Sequence, residues 1–544
     1  MVTRRRGLWL LLPAGLGVAV TYADSLHLGL WWDDYQWLRP WTWSQLAAAF
    51  HGSWEPDAVF QVYYRPLTTA YVALAFHLFG LNAWAHHLVS IVELLLCAWM
   101  TALFVQRETG LGSWAAIAAL LYGVHPAVAH ADGPWFFQQS HLLGSLIVLL
   151  ALMHWQRCRA RPSVRTWWPV GALTVVGFLI REDGLMLAPA LVMLQAARAR
   201  VLGDVPRPTR ALVVGTALLV AGLVGLRFML LGEIGGEGPR VFSDLVMNVV
   251  RLCVRVLFVF QRQHLAVNAV ASIVSTGWLV WGAWLVRRWM TGHDPRPASL
   301  PAIVKVGLTG ATLFGVFALP LVFLSSPARY HVLALGAVLM LSAGLGAIAT
   351  VLQPRLGRIG WAASVAMALV SFALAGRAVL APFRSCAPER LETDGDVLTW
   401  LSVPAETRQW IAATPAACLA GTHQPLTDSL SAVTWPSSDA SASPVVLLVR
   451  LASNGAAVTL RDAGASAASP VSIVVIVDGV ESSRVQLTAP GWQTVTLRWS
   501  GSIAPALRAR LRQMHRIDLS AEPLAPFRPI TLEVGRVGLA PVHD

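Results

Sequence analysis

Trp31-Trp32-Asp33-Asp34-Tyr35 stands a few residues beyond the first hydrophobic segment, residues 7–23, and its reading decides how the rest of the chain is understood. Ionised carboxylates gain nothing from burial beside a bilayer. An acidic pair flanked by tryptophans and followed by Tyr63-Tyr64-Arg65-Pro66-Leu67 therefore marks either a polar cavity at a membrane surface or a solvated loop with interfacial aromatics. The surroundings have to decide between them.

Those surroundings are apolar. Of 544 residues, 56% are hydrophobic and 13% charged, against roughly 25% charged in an ordinary soluble domain. This is the composition of an integral membrane protein. Runs approaching the ~20 residues that a helix needs to cross a ~30 Å hydrocarbon layer recur along the first two thirds of the chain. Eleven spans are expected, near residues 7–23, 85–105, 112–129, 137–155, 167–180, 184–197, 211–230, 266–286, 302–324, 331–352 and 360–380. The fifth and sixth are short.

A net charge of +12 can signal a nucleic-acid partner, but its placement argues against one. Residues 385–544 carry 12 Arg against 14 Asp and Glu, so the excess belongs to the membrane part. There Arg4, Arg5, Arg6, Arg107, Arg157, Arg159, Arg161, Arg165, Arg198, Arg200, Arg287 and Arg288 fall in one alternating set of loops, which the positive-inside rule makes cytoplasmic. The opposite loops hold Asp24, Asp33, Asp34, Glu55, Asp57, Asp132, Glu182 and Asp183. The acidic pair is thus expected outside, and an odd number of spans puts the C-terminal region there too. Leu245 to His264 is apolar enough to be a twelfth span, which would move that region inside; Arg251, Arg255 and Arg262 favour an amphipathic helix at the outer interface instead. The N-terminal arginines and apolar run also resemble a secretory signal, but no small-residue cleavage site follows, so a retained helix is expected. Lys305 is the only lysine, a bias that with abundant Ala and Arg suggests a GC-rich bacterial genome, hence a bacterial cytoplasmic (inner) membrane with a periplasmic C-terminal domain.

After Arg384 the character changes. Residues 385–444 are rich in Pro, Ser, Thr and Asp and read as an irregular linker, while Val445–Leu451, Val471–Val477, Val485–Thr488, Thr494–Trp499 and Ile530–Val537 read as strands punctuated by turn residues. The expected architecture is a polytopic α-helical membrane domain over 1–384 and a β-sandwich domain over 445–544. Trp492, Trp499 and His515 suit a sugar-stacking surface or the sandwich core. Cys386 and Cys418 lie in the exterior portion, where an oxidising compartment permits a disulfide. Cys97, Cys158 and Cys253 are expected to be inert packing residues.

Chemically capable residues gather on the outer side. The first outer loop, residues 24–84, is long for a connection and is expected to hold two surface helices, Ser44 to His51 and Pro66 to Gly80. Arg65 precedes the helix-opening Pro66, where free backbone N–H groups and a guanidinium would receive an anion; a salt bridge to Asp57 or Glu55 fits equally. The second outer loop offers His125, His130, Asp132 and His141, which read better as hydrogen-bonding groups than as metal ligands, because the spacing matches no defined site; a divalent cation stays a secondary possibility. Arg181-Glu182-Asp183-Gly184 is a tight turn suited to orienting the acidic pair, or a solvated hairpin. Arg227, inside the seventh span near its outer end, is a snorkelling residue or a phosphate ligand. Arg329-Tyr330, among hydroxyls at the start of a helix, suits a phosphate.

Taken together, the acidic pair, the Tyr-Arg-Pro-Leu helix ending in Phe79-Gly80-Leu81-Asn82, His86-His87-Leu88-Val89, His125-Pro126, Arg181-Glu182-Asp183 and Arg329-Tyr330 resemble the GT-C superfamily of membrane glycosyltransferases, and within it the protein O-mannosyltransferase-like group, over about residues 7–380. Ser90 stands where relatives often have Asn, and Val128, His130 and Asp132 occupy the region where they carry an acidic residue. The resemblance implies a sugar donor linked to a polyprenyl phosphate and a protein, lipid or polysaccharide acceptor. Asp33 would then be the general base and Asp34 an acceptor-orienting group, with Arg65, Arg227, Arg329 and Tyr330 on the donor phosphate and His125, His130, Asp132 and Glu182 orienting substrate. Two other classes remain: a ligase or polymerase moving whole lipid-linked oligosaccharides, and a non-catalytic glycolipid transporter or flippase, which would more often show internal repeats.

Overall fold

The computed structural model describes residues 8–27, 38, 41–52, 63–80, 82–131, 139–232, 248–250, 252–257, 265–295, 297–322 and 331–384, and beyond them 397–401, 431–435, 445–450, 455–461, 471–477, 480–489, 493–498, 514–522 and 530–539. The first part is helical: α1 (Leu11–Tyr22), α2 (Trp43–His51), α3 (Pro66–Phe79), α4 (Ala83–Thr109), α5 (Gly112–Val124), α6 (Pro126–Ala131), α7 (Gln139–Cys158), α8 (Val164–Ile180), α9 (Leu187–Val201), α10 (Arg210–Leu231), α11 (Leu265–Met290), α12 (Leu300–Val322) and α13 (His331–Arg384). A helix occupies each of the eleven apolar segments of the sequence. Among the described residues, six stretches are long and apolar enough to cross a membrane by length and composition: Ala83–Thr109, Glu182–Val201, Arg210–Leu231, Ala269–Met290, Leu300–Pro320 and Val332–Pro354. The chain is a multi-pass membrane protein. The segments near 331–352 and 360–380 run together as α13, interrupted at Gly357, whose φ of 67° breaks the helical path.

Local chemistry sets the helix ends. Thr42 and Gln45 form a reciprocal capping box on α2, Pro66 fills the first turn of α3, and Asn82 accepts from the Ala85 amide to start α4, which stops at left-handed Gly110. Inside the bundle, Thr101, Thr174, Thr309 and Ser342 spend their hydroxyls on carbonyls one turn back, so they remain satisfied away from water. Where α1 crosses α5, a Cβ on Gly123 would lie 2.7 Å from the Gly17 carbonyl carbon, so only glycine permits that approach.

In the sidedness read from the arginines, the end of the bundle holding Arg65 and Glu182 is the outer one. The inner end is tied by a buried ion network. Glu108 accepts from Arg198 at 2.7 Å, from Gln156 at 2.7 Å and from Arg159; Arg198 also pairs with Asp204, which Lys305 approaches at 3.5 Å. Trp155 lies against both arginines, with their Cζ atoms 5.4 and 5.2 Å from its ring centre, and donates to Gln195. Arg159 and Arg198, two of the arginines expected on the cytoplasmic side, thus link α4, α7, α9 and α12 rather than only facing solvent.

Of the segment from Leu245 to His264, the described part contains a π-helical turn, Cys253–Leu257, with Leu252 and Val256 buried. Cys97, Cys158 and Cys253 form no disulfide among the described residues, and Cys97 is buried; Cys386 and Cys418 lie outside the described residues.

The strands after α13 form two antiparallel sheets. The first pairs β1 (Val397–Leu401), β3 (Val445–Arg450), β8 (Met514–Glu522), β5 (Val471–Val477) and β6 (Val480–Leu487) in that order; the second pairs β2 (Ser431–Trp435), β9 (Ile530–Leu539), β4 (Gly455–Arg461) and β7 (Gln493–Arg498). All five strands expected from the alternation are present. β1 and β2 lie where an irregular linker was expected: Val397 pairs with Val449 and Ser431 with Val534, so this Pro- and Ser-rich segment supplies a strand to each sheet. Partners far along the sequence complete strands that local pattern does not announce.

Candidate active site at the outer end

The two surface helices of the first outer loop form where the sequence places them, and the second carries the site. Arg65 caps the start of α3, and Thr68 and Tyr71, three apart, are neighbours on its surface; each of the three reaches a different partner. The Arg65 Nε donates to Glu182 Oε2 at 2.9 Å, the Thr68 hydroxyl donates to the Ile180 carbonyl at 2.7 Å, and the Tyr71 hydroxyl donates to Glu93 Oε1 at 2.8 Å. The loop end of α3 is thereby fixed to the end of α8 and to α4.

Glu182 is the hub. Its other oxygen accepts the Tyr64 backbone N–H at 2.7 Å, and the charge of Arg227 reaches it from α10. Expected as a substrate-orienting group, Glu182 has both oxygens engaged inside the protein, so its described contacts orient the loop. Arg65 finds a carboxylate in Glu182; Asp57 and Glu55 lie outside the described residues. It is 3% exposed, with the Tyr63 ring 4.3 Å from its Cζ. Burial opposes its charge, but Glu182 and Tyr63 outweigh burial and hold the guanidinium above its ordinary range.

Arg227 is buried at 5% exposure, so it does not snorkel; Leu223, Leu226 and Leu230 of the same helix pack with Tyr64 and Phe178. The Tyr64 hydroxyl in turn donates to the Phe50 carbonyl at 3.2 Å, tying α2 to the same point. Burial pushes the Tyr64 phenol up. One guanidinium, that of Arg65, thus pairs with Glu182, and the charge of a second, Arg227, acts on the same carboxylate.

A second buried group lies beside it. Arg181 is hydrogen-bonded to His141 Nε2 at 2.8 Å and pairs with Asp183 at 3.1 Å. The turn that presents these residues lies against α8 because a Cβ on Gly184 would sit 2.2 Å from the Gly177 carbonyl carbon. A small cleft bordered by Gly144, Ile147, Arg181, Asp183, Phe317 and Val332 opens here.

His125, expected to orient substrate, is fully buried. Its Nδ1 accepts the Ala127 amide at 3.2 Å and its ring lies 5.7 Å from that of Phe372, so it shapes the start of α6 within the bundle. Asp33, Asp34, Asp132, Arg329 and Tyr330 lie outside the described residues, as does the side chain of His130. Among the described residues no three His, Cys, Asp or Glu side chains are grouped to hold a metal.

Three features escape a reading of the sequence. The Arg65–Glu182 pair joins residues 117 apart, and the Arg181–His141 contact joins residues 40 apart; neither spacing carries a local signal. The Tyr71–Glu93 contact had one: Glu93 is the only acidic residue in the apolar run 83–105.

No family model matches the chain. Protein O-mannosyl-transferase TMTC2 of Mus musculus is 31% identical to it over 196 residues, as is its Homo sapiens counterpart. The match covers 32% of this chain and 22% of either relative. Among solved structures, the Archaeoglobus fulgidus oligosaccharyltransferase AglB, in complex with an inhibitory peptide and a dolichol-phosphate, is similar over 68% of this chain and 55% of its own, with 15% identity and a TM-score of 0.43. ArnT from Cupriavidus metallidurans bound to undecaprenyl phosphate is similar over 70% of this chain and 78% of its own, with 17% identity and a TM-score of 0.39. The sequence likeness thus falls on O-mannosyl-transferases, the same group that the residue pattern of the chain resembles.

Proposed function

We propose that this protein is a GT-C membrane glycosyltransferase that moves a sugar from a polyprenyl-phosphate donor to an acceptor hydroxyl on the extracytoplasmic face. The observation that carries the reading is the buried Arg65–Glu182 pair at the outer end of the helices, on whose carboxylate the charge of the buried Arg227 also acts. Glu182 fixes the arrangement, and the pair of guanidiniums gives that end a local excess of positive charge suited to a lipid phosphate. The sequence likeness to O-mannosyl-transferases supports the same class of reaction.

In this reading Asp33 takes the proton of the acceptor hydroxyl as its oxygen attacks the anomeric carbon. The bond from that carbon to the phosphate oxygen breaks, and the polyprenyl phosphate leaves with the electron pair. Attack opposite the phosphate inverts the anomeric centre. Asp34 orients the acceptor, while Arg227, Arg329 and Arg65, with Tyr330, stabilise the departing phosphate, whose charge grows in the transition state. His130 and Asp132 help to orient substrate. Eleven spans put the C-terminal sheets on the same side as the site, and the membrane is a bacterial inner membrane.

Purified protein mixed with lipid-linked donors tests this directly. Release of polyprenyl monophosphate with transfer of a single sugar is expected. Release of a diphosphate with a longer glycan would replace the reading by an oligosaccharide ligase or polymerase, and no release across a panel of donors and acceptors would favour a transporter.

A further inference from the structure

Glu93 has no part in the reaction above, yet its surroundings are unusual. It is 7% exposed within α4, Oε1 accepts from the Tyr71 hydroxyl, and Oε2 is buried with no hydrogen-bond partner among the described residues. It also makes no ion pair among them. A buried carboxyl group in such a place is costly and is kept only where its single contact matters.

That contact is the last rung of a ladder. Arg65, just ahead of α3, pairs with Glu182, and within the helix Thr68 bonds to Ile180 and Tyr71 to Glu93, so α3 is held at its start by the end of α8 and the turn after it and farther along by α4. Thr68 and Glu182 hold the first turn of α3, while the Tyr71 contact at its middle and the Phe79–His86 contact at its far end set the direction in which the helix leaves it. A shift of α3 against α4 would pull its first turn, and Arg65 just ahead of it, away from Glu182.

We propose that Glu93 is a positioning residue of the outer site: through Tyr71 it aligns α3, and with it Arg65, acting as a hydrogen-bond acceptor and not as a counter-ion. The inference rests on the proposed function only for the choice of ligand. An acceptor role needs an oxygen at the Oε1 position and no charge, so glutamine replaces glutamate and alanine does not.

The test uses the full chain in detergent with Glu93→Gln, Glu93→Ala, Tyr71→Phe, Glu182→Gln and the double variant Glu93→Ala/Glu182→Gln. Melting midpoints and the affinity for polyprenyl phosphate alone are measured on each. Glu93→Gln is expected to keep the wild-type melting midpoint and affinity, while Glu93→Ala and Tyr71→Phe lower the midpoint and weaken binding several-fold. The losses in midpoint from Glu93→Ala and Glu182→Gln should also fall short of their sum in the double variant, since separate sites this far apart ordinarily add. Where Glu93→Ala does not fold, Tyr71→Phe takes its place in the cycle. Equal damage from Glu93→Gln and Glu93→Ala, or strictly additive losses, overturns the proposal. If the wild type does not bind polyprenyl phosphate, the donor assignment fails, and the melting cycle still decides the role of Glu93.

Discussion

The two ends of the helical bundle hold their charges in opposite ways. At the inner end Glu108, Arg198, Arg159, Asp204 and Lys305 interlock across four helices, with both Glu108 oxygens and the Arg198 guanidinium taken up by one another. At the outer end Arg65 pairs with Glu182, on which the charge of Arg227 also acts, and Arg181 is divided between Asp183 and His141. Each end sets three cationic side chains against two carboxylates, so neither buried charge nor its excess marks a site. What separates the ends is the linkage: the inner network ties four helices together, whereas the outer carboxylates belong to the single turn Glu182–Asp183.

If the inner network is a clamp, its loss should unfold the protein rather than slow it. Glu108→Ala leaves Arg198 and Arg159 without their carboxylate and is expected to cost about 3–5 kcal/mol, read as a collapse of the melting midpoint or of membrane yield. At the outer end the order of effects reverses. Arg227→Met removes a guanidinium of the site from an otherwise leucine-packed helix, and transfer should fall on the order of 100-fold with a melting midpoint close to wild type. A midpoint that drops as far as in Glu108→Ala would erase the distinction between the two ends.

Glu182→Gln lies between these cases, because Glu182 both neutralises and orients. Weakening its contacts to Arg65 and Tyr64 should cost about 1.5–3 kcal/mol of stability and also reduce transfer, measured on the same preparation by melting and by product release. The smallest change is expected from Lys305→Met. Its contact with Asp204 is 3.5 Å long and a quarter exposed on both sides, so the loss should stay within about 1 kcal/mol. A larger effect would mean that the clamp depends on its rim.

The helices were legible because a span needs only length and apolarity, both local properties; α4 and α10 end within a few residues of where composition places them. The two surface helices were legible from Pro66 and from the run after Thr42. The strands β1 and β2 were not, since their stability comes from pairing with Val445–Val449 and Ile530–Val534, far along the chain. The same reason hides the partners at the site. Arg65 announced itself by standing before Pro66, but nothing near it names Glu182, and Glu182 alone reads as an exposed turn. Arg227 was visible as a charge inside an apolar run; that it lies buried against leucines and close to Glu182 follows only from the packing of α10 on α8.

The central claim is that the acidic pair at the outer end does chemistry for which this scaffold is built. Purified Asp33→Asn, confirmed as folded by an unchanged melting midpoint, should release no polyprenyl phosphate from a donor and acceptor pair that the wild type turns over. Release at the wild-type rate by that variant would contradict the account.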